Sequence, residues 1–236
     1  MKKLPIAMAG LIFLCACLAG CGRDEKGGAP QAQESAKAKS AAMTKEAAQT
    51  AQTYKNMDNP ALLQKLAEQS KAKREPFNSL AYRELQGRTD VNRDALAALV
   101  NETKNADALL PLLLLRKLNE GAYLNIPSAE RAAVLTDALR NAKTFNAWGL
   151  PHLYLEDASK AMLETGESAG PALRRMLSDC RPAPVFGGQE VIESKRYQYR
   201  LCDYALFFLE RLQGHGDFRM PMAPADRDAL IAQILK

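Results

Sequence analysis

The chain has 236 residues and a formal charge of +5, with 25% charged, 47% hydrophobic and only 6% aromatic side chains. That balance belongs to a chain that folds, with room for one compact domain, and it excludes a largely disordered or fibrous protein. Two of the positive charges are Lys2 and Lys3, and the remaining excess is too small and too scattered to hold a nucleic acid.

Lys2 and Lys3 precede an apolar stretch from Pro5 to Gly20, shorter than the roughly 20 residues that a permanent transmembrane helix needs. A charged start followed by a short apolar run predicts a signal peptide over 1–20. The run ends in Leu18-Ala19-Gly20-Cys21, which resembles the lipobox of bacterial lipoproteins. The resemblance implies cleavage before Cys21, a thioether from that cysteine to diacylglycerol, and anchoring by palmitate and similar acyl chains. Each buried methylene contributes about 0.8 kcal/mol, so several chains hold the membrane durably. Gly22, rather than an aspartate, follows the cysteine. By the same resemblance the protein belongs to the cell envelope, on the periplasmic face of the outer membrane rather than at the inner membrane.

Residues 21–57 are rich in Ala, Gln, Lys, Glu, Ser and Gly, with almost no large apolar side chains. They cannot bury enough surface to offset their ordering entropy, which predicts a disordered tether with transient helix from Ala41 to Ala51. Helical periodicity begins after Met57, with Asn59 read as a cap and Pro60 in the first turn. Further helices are expected over Pro76–Leu85, Asn92–Asn101, Asp107–Leu118, Ser128–Ala142, Leu155–Leu163, Ala169–Asp179, Tyr197–Leu212 and Asp226–Leu235. Only Pro184–Ile192 reads as a short extended piece. The expectation for 58–236 is therefore an all-α domain of about nine helices. Leu163-Glu-Thr-Gly-Glu-Ser-Ala-Gly-Pro-Ala-Leu-Arg-Arg-Met-Leu177, and more faintly Asp107 to Leu115, resemble the HEAT repeat, in which one helix ends at Gly and its partner opens on Pro-Ala-Leu. The resemblance implies stacked helical hairpins, as in a short HEAT or armadillo solenoid, and bears on fold more than on function.

In an exported chain of this kind only Cys180 and Cys202 remain in the domain, and thiols in such chains usually pair. They enclose Arg181-Pro-Ala-Pro-Val-Phe-Gly-Gly188, so a disulfide would close an insertion near 180–202; two separately buried thiols are the alternative. Functional groups are densest here: Arg181, Phe186, Glu190, Glu193, Lys195, Arg196, Tyr197, Tyr199, Arg200, Asp203 and Tyr204. On one helix Arg196, Arg200 and Asp203 would share a face, either as an ion-pair network or as a docking surface, for which Arg and Tyr are good anchors. The segment Phe145 to Tyr154 holds the only Trp. Its Trp148, His152 and Tyr154 either plug gaps between hairpins or line a groove.

Gly166-Glu-Ser168-Ala-Gly170 matches a nucleophile elbow, and Asp203 and His215 follow in hydrolase order. An elbow needs a preceding strand, whereas Ala158–Glu164 reads as helix, so Gly166 is read as a helix end and Ser168 as a cap. The residues point to no cofactor and no metal. The function expected is that of a non-enzymatic envelope scaffold or adaptor that binds a protein or other envelope component; a lipid-anchored serine hydrolase using Ser168, Asp203 and His215 is the alternative.

Overall fold

A computed structural model describes the backbone of residues 29–185 and 188–236, and the side chains of 40–185 and 190–236. The signal and lipobox segment, Cys21 and Phe186 lie outside these residues. Among the described residues there are twelve α-helices and one minimal hairpin, so the chain is all-α. The helix count exceeds the expected nine because several runs are broken by capping residues and short 3-10 turns.

Helix α1 spans Ala29–Asn56, where composition predicts a disordered tether. Ala, Gln, Lys and Glu are strong helix formers, so the backbone satisfies its own hydrogen bonds without a core. Every side chain from Ser40 to Thr53 is exposed. The chain divides after Glu46 into two units, and Ala47–Lys236 holds the core. Within it, Tyr54 Oη accepts a 2.8 Å hydrogen bond from Gln69 Nε2.

Helix α2, Asn59–Lys71, is capped by Asp58, whose Oδ1 accepts from the Ala61 N–H at 2.9 Å. Asn59, the expected cap, instead donates to the Asp90 carbonyl and accepts from Arg88. Next come α3 (Leu80–Gln86, capped by Ser79), α4 (Arg93–Glu102, capped by Asn92), α5 (Leu109–Leu118), α6 (Glu120–Asn125) and α7 (Ser128–Arg140). All seven residues from Leu109 to Leu115 are buried. A helix that is apolar all round must be enclosed, and α5 packs against α2, α3, α4, α6 and α7.

Strands β1 (Gly149–Leu150) and β2 (Tyr154–Leu155) form the hairpin, followed by α8 (Asp157–Leu163) and α9 (Gly170–Met176). Gly149 has φ +75°, and a β-carbon there would lie 2.5 Å from the Tyr154 carbonyl oxygen. Only glycine allows this close approach.

The remaining helices are α10 (Gly188–Tyr197), α11 (Leu201–Leu212) and α12 (Pro224–Ile234). The expected single helix from Tyr197 to Leu212 is broken. Gln198 takes φ +53°, and Arg200 is extended. The Ala183 N–H donates to the Tyr199 carbonyl at 2.8 Å and the Leu201 N–H to that of Arg181 at 3.0 Å, so the tertiary ladder replaces helical continuation. The expected extended piece, Pro184–Ile192, gives way to α10 from Gly188.

Candidate functional site

The turn before α3 faces the hairpin across a groove. Glu75 is buried, and its Oε2 accepts from the Ala147 N–H at 3.0 Å, fixing the Pro76–Asn78 turn against the link before β1. Burial pushes the Glu75 carboxyl above the usual range. Between these segments opens a groove of about 420 Å³ lined by Phe77, Ala147, Tyr154, Glu156, Asp157 and Glu190. Phe77 is 65% exposed, an unusual position for a large aromatic ring. The Tyr154 hydroxyl donates to Glu190 Oε1 at 3.2 Å, and burial, then the Glu190 charge, push its pKa up to about 12. Asp157 lies 4.0 Å from both Arg116 and Lys117. Glu156 and Glu190 form no ion pair among the described residues, so the groove keeps a negative field beside two aromatic rings.

One side of the groove is braced by a second cluster. The His152 ring stacks on Tyr197 with centroids 3.8 Å apart. Its Nδ1 lies 2.9 Å from Tyr199 Oη and its Nε2 3.3 Å from Glu193 Oε2. Burial pulls the His152 pKa below the ordinary imidazole value, helped by Arg196 and opposed by Glu193. Burial likewise pushes the Tyr199 hydroxyl up. This cluster holds α10 against the hairpin.

Of the residues singled out as a binding surface, Tyr154 faces the groove and His152 and Tyr199 support it. Trp148 does not. It is 1% exposed and packs edge-on against Phe208, with its carbonyl accepting from Ser159 Oγ. Arg181 is spent on Asp179 at 2.7 Å and on the Arg140 carbonyl at 2.9 Å. Arg196 stays exposed on α10 while Arg200 lies beyond the break, so the expected shared helical face does not exist. Arg200 reaches Asp203 through a cap instead: Asp203 Oδ2 accepts from the Arg200 backbone N–H at 2.8 Å, and Oδ1 from its guanidinium at 2.9 Å. Asp203 is fully buried and Arg200 also binds Asp228. Asp203 is thus internal, and Arg200 is held between it and Asp228.

The Cys180 and Cys202 sulfurs lie 3.3 Å apart as thiols, Cys180 exposed and Cys202 buried. The ladder that breaks the helix also brings them together, because the Cys202 N–H donates to the Asp179 carbonyl at 2.8 Å. Burial pushes the Cys202 thiol up.

The serine-hydrolase constellation is not assembled. Ser168 lies in the 3-10 turn Gly166–Ala169, which follows α8 rather than a strand, and its Oγ pairs with Ser128 Oγ at 2.8 Å. His215 Nδ1 lies 2.6 Å from Glu210, and Asp203 is held by Arg200 and Arg227. Ser168 makes no capping bond to α9 either. Gly166, expected to end the preceding helix, instead opens this turn at φ +58°, because α8 already ends at Leu163 with Glu164 as its cap.

No group of three or more His, Cys, Asp or Glu that could hold a metal occurs among the described residues, and no helix among them is long and apolar enough to cross a membrane. Known protein families, curated proteins and solved structures contain no match to this chain. Sequence reasoning missed Phe77, Glu156 and Asp157. Pro76-Phe77 reads locally as the start of the helix expected over Pro76–Leu85, and only the three-dimensional tie from Glu75 to Ala147 shows where the ring lies.

Proposed function

We propose that this chain is a lipid-anchored, non-enzymatic adaptor of the cell envelope whose acidic, aromatic groove holds a basic segment of a protein partner. One observation carries the reading: Phe77, exposed on a braced turn, stands in the same groove as Tyr154, Glu156 and Glu190. An apolar ring and a phenol supply contact area, and carboxylates that form no ion pair among the described residues favour Lys or Arg side chains. Cation–π contacts to such rings contribute about 0.5–1 kcal/mol at exposed sites. The lipobox-like Leu18 to Cys21 supports anchoring through Cys21 at the periplasmic face of the outer membrane, with the segment through α1 as spacer. Attachment to the membrane would raise the local concentration of the groove for envelope partners.

Two finer features belong to the same proposal. The helices form a short HEAT- or armadillo-like stack, a reading supported by α7 packing on both α8 and α9, and α9 on α11. Cys180 and Cys202 are joined in the oxidising envelope, which their adjacency supports.

The test is a photocrosslinking residue at Phe77 in intact cells, with the exposed Leu124 as control. A discrete protein adduct from 77 and none from 124 is expected. Absence of any adduct at 77, or the same adducts at both, contradicts the adaptor.

A further inference from the structure

Helix α10 carries Glu190 to the acidic groove, yet none of its described side chains, Glu190 to Tyr197, is buried, and Ile192 is 67% exposed. A helix of ten residues is marginal on its own, and elements with little buried apolar surface open at low cost. Side-chain contacts fasten this one: Glu190 to Tyr154, Glu193 to His152, and the Tyr197 ring on that of His152. The chain on either side of it is drawn together by backbone bonds from Ala183 to Tyr199, from Leu201 to Arg181 and from Cys202 to Asp179. At the end of this ladder the Cys180 and Cys202 sulfurs, 22 residues apart in sequence, lie 3.3 Å from each other. Cys180 is exposed and Cys202 buried.

We infer that Cys180 and Cys202 form a redox-operated clasp on α10: bonded, they keep Glu190 at the groove, and parted by a dithiol reductant they let the ladder open and α10 leave. The inference rests on the disulfide and the groove proposed above and adds their regulation. While the bond stands, opening the ladder releases little chain entropy because its ends stay tied; once the bond is broken, the same opening frees them. In the reducing step a reductant thiolate attacks the exposed Cys180 Sγ. The S–S bond breaks, and its electron pair leaves on Cys202 Sγ, which takes up a proton. The reductant's second thiolate then displaces Cys180 from the mixed disulfide, Cys180 takes up a proton, and the reductant departs as a disulfide. Burial pushes the Cys202 thiol up, and only a thiolate attacks, so the bond re-forms slowly and the open state persists.

The test uses membranes carrying the full chain and follows trypsin cleavage by mass spectrometry with and without dithiothreitol. Lys195 and Arg196 are exposed on α10, so cleavage after them reports opening of that helix, whereas cleavage after buried Arg131 reports global unfolding. Reduction should speed cleavage after Lys195 and Arg196 at least tenfold and keep it at least tenfold ahead of cleavage after Arg131. Cys180→Ser, at an exposed position, should be cleaved at the reduced rate without reductant and gain nothing from its addition. Equal rates in the bonded and reduced chains, or one common rate at all three positions, overturn the clasp and leave the disulfide and the groove standing. Free thiols at both cysteines before reduction overturn the disulfide and the clasp with it, while the groove is judged separately by crosslinking at Phe77.

Discussion

Arg227 Nε stands 3.0 Å from Asp203 Oδ1, and both side chains are fully buried. Arg227 also donates to the carbonyls of Tyr197 at 2.6 Å, Pro221 at 2.9 Å and Met222 at 2.7 Å. One guanidinium thereby ties the segment before α12 to the break between α10 and α11.

Removing one member of a buried pair leaves the other charge uncompensated. Arg227→Met should destabilise the fold by about 3–5 kcal/mol. Asp203→Asn should be similarly harmful, and the double variant less harmful than the sum of the two. Urea unfolding of the three variants checks this; a shift of less than about 1 kcal/mol for Arg227→Met would mean that the buried pair is not framework.

Gly149→Ala tests the hairpin. A β-carbon there meets the Tyr154 carbonyl oxygen at 2.5 Å and the Glu156 nitrogen at 3.0 Å, at φ +75°. The strain should cost about 1–3 kcal/mol and show as a lowered Tm. An unchanged Tm would contradict the geometry of the turn.

The cysteine pair makes a chemical prediction. Protein taken from the envelope should show no free thiols at Cys180 and Cys202 under denaturing conditions, and reduction should lower stability by roughly 3 kcal/mol. Once reduced, the folded chain should react with maleimide at exposed Cys180 and leave buried Cys202 unmodified until it unfolds. Two free thiols in the isolated protein would exclude the bond.

His152 sets a pH dependence of definite sign. Burial lowers its pKa in the folded chain, with Glu193, Arg196, Tyr197 and Tyr199 around it. The unfolded chain therefore takes up the proton first. The contribution to stability is complete above the ordinary value of about 6.5 and is lost as pH falls through the folded pKa. Unfolding free energy should decline between pH 7 and pH 5, and His152→Asn should flatten that decline. An equal decline in the variant would remove His152 as its source.

The sequence made the helical character of 58–236 legible, because apolar periodicity and caps such as Asn92 are local signals. It did not make legible where the helices break. Tyr197–Leu212 carries an unbroken helical pattern, yet Gln198 turns to positive φ because residues 181–183 offer Tyr199 and Leu201 better partners across the chain. That single break moves Arg200 from a supposed docking face to a cap on buried Asp203. Over the segment holding α1, composition did not distinguish coil from helix, since few apolar residues argues against a core but not against a helix built from Ala, Lys and Gln. As for the site, Tyr154 and Glu190 were visible as chemistry. Phe77 was not, because exposure of an aromatic ring is a property of packing.

The central claim, that the groove recognises a basic partner segment, is tested most directly by removing its charge while keeping its shape. Capture from the crosslinker at position 77 should fall at least tenfold in Glu156→Gln/Glu190→Gln and weaken in the unaltered protein as salt is raised, since exposed charges are screened. Capture that is indifferent to both changes would contradict recognition by charge at this site.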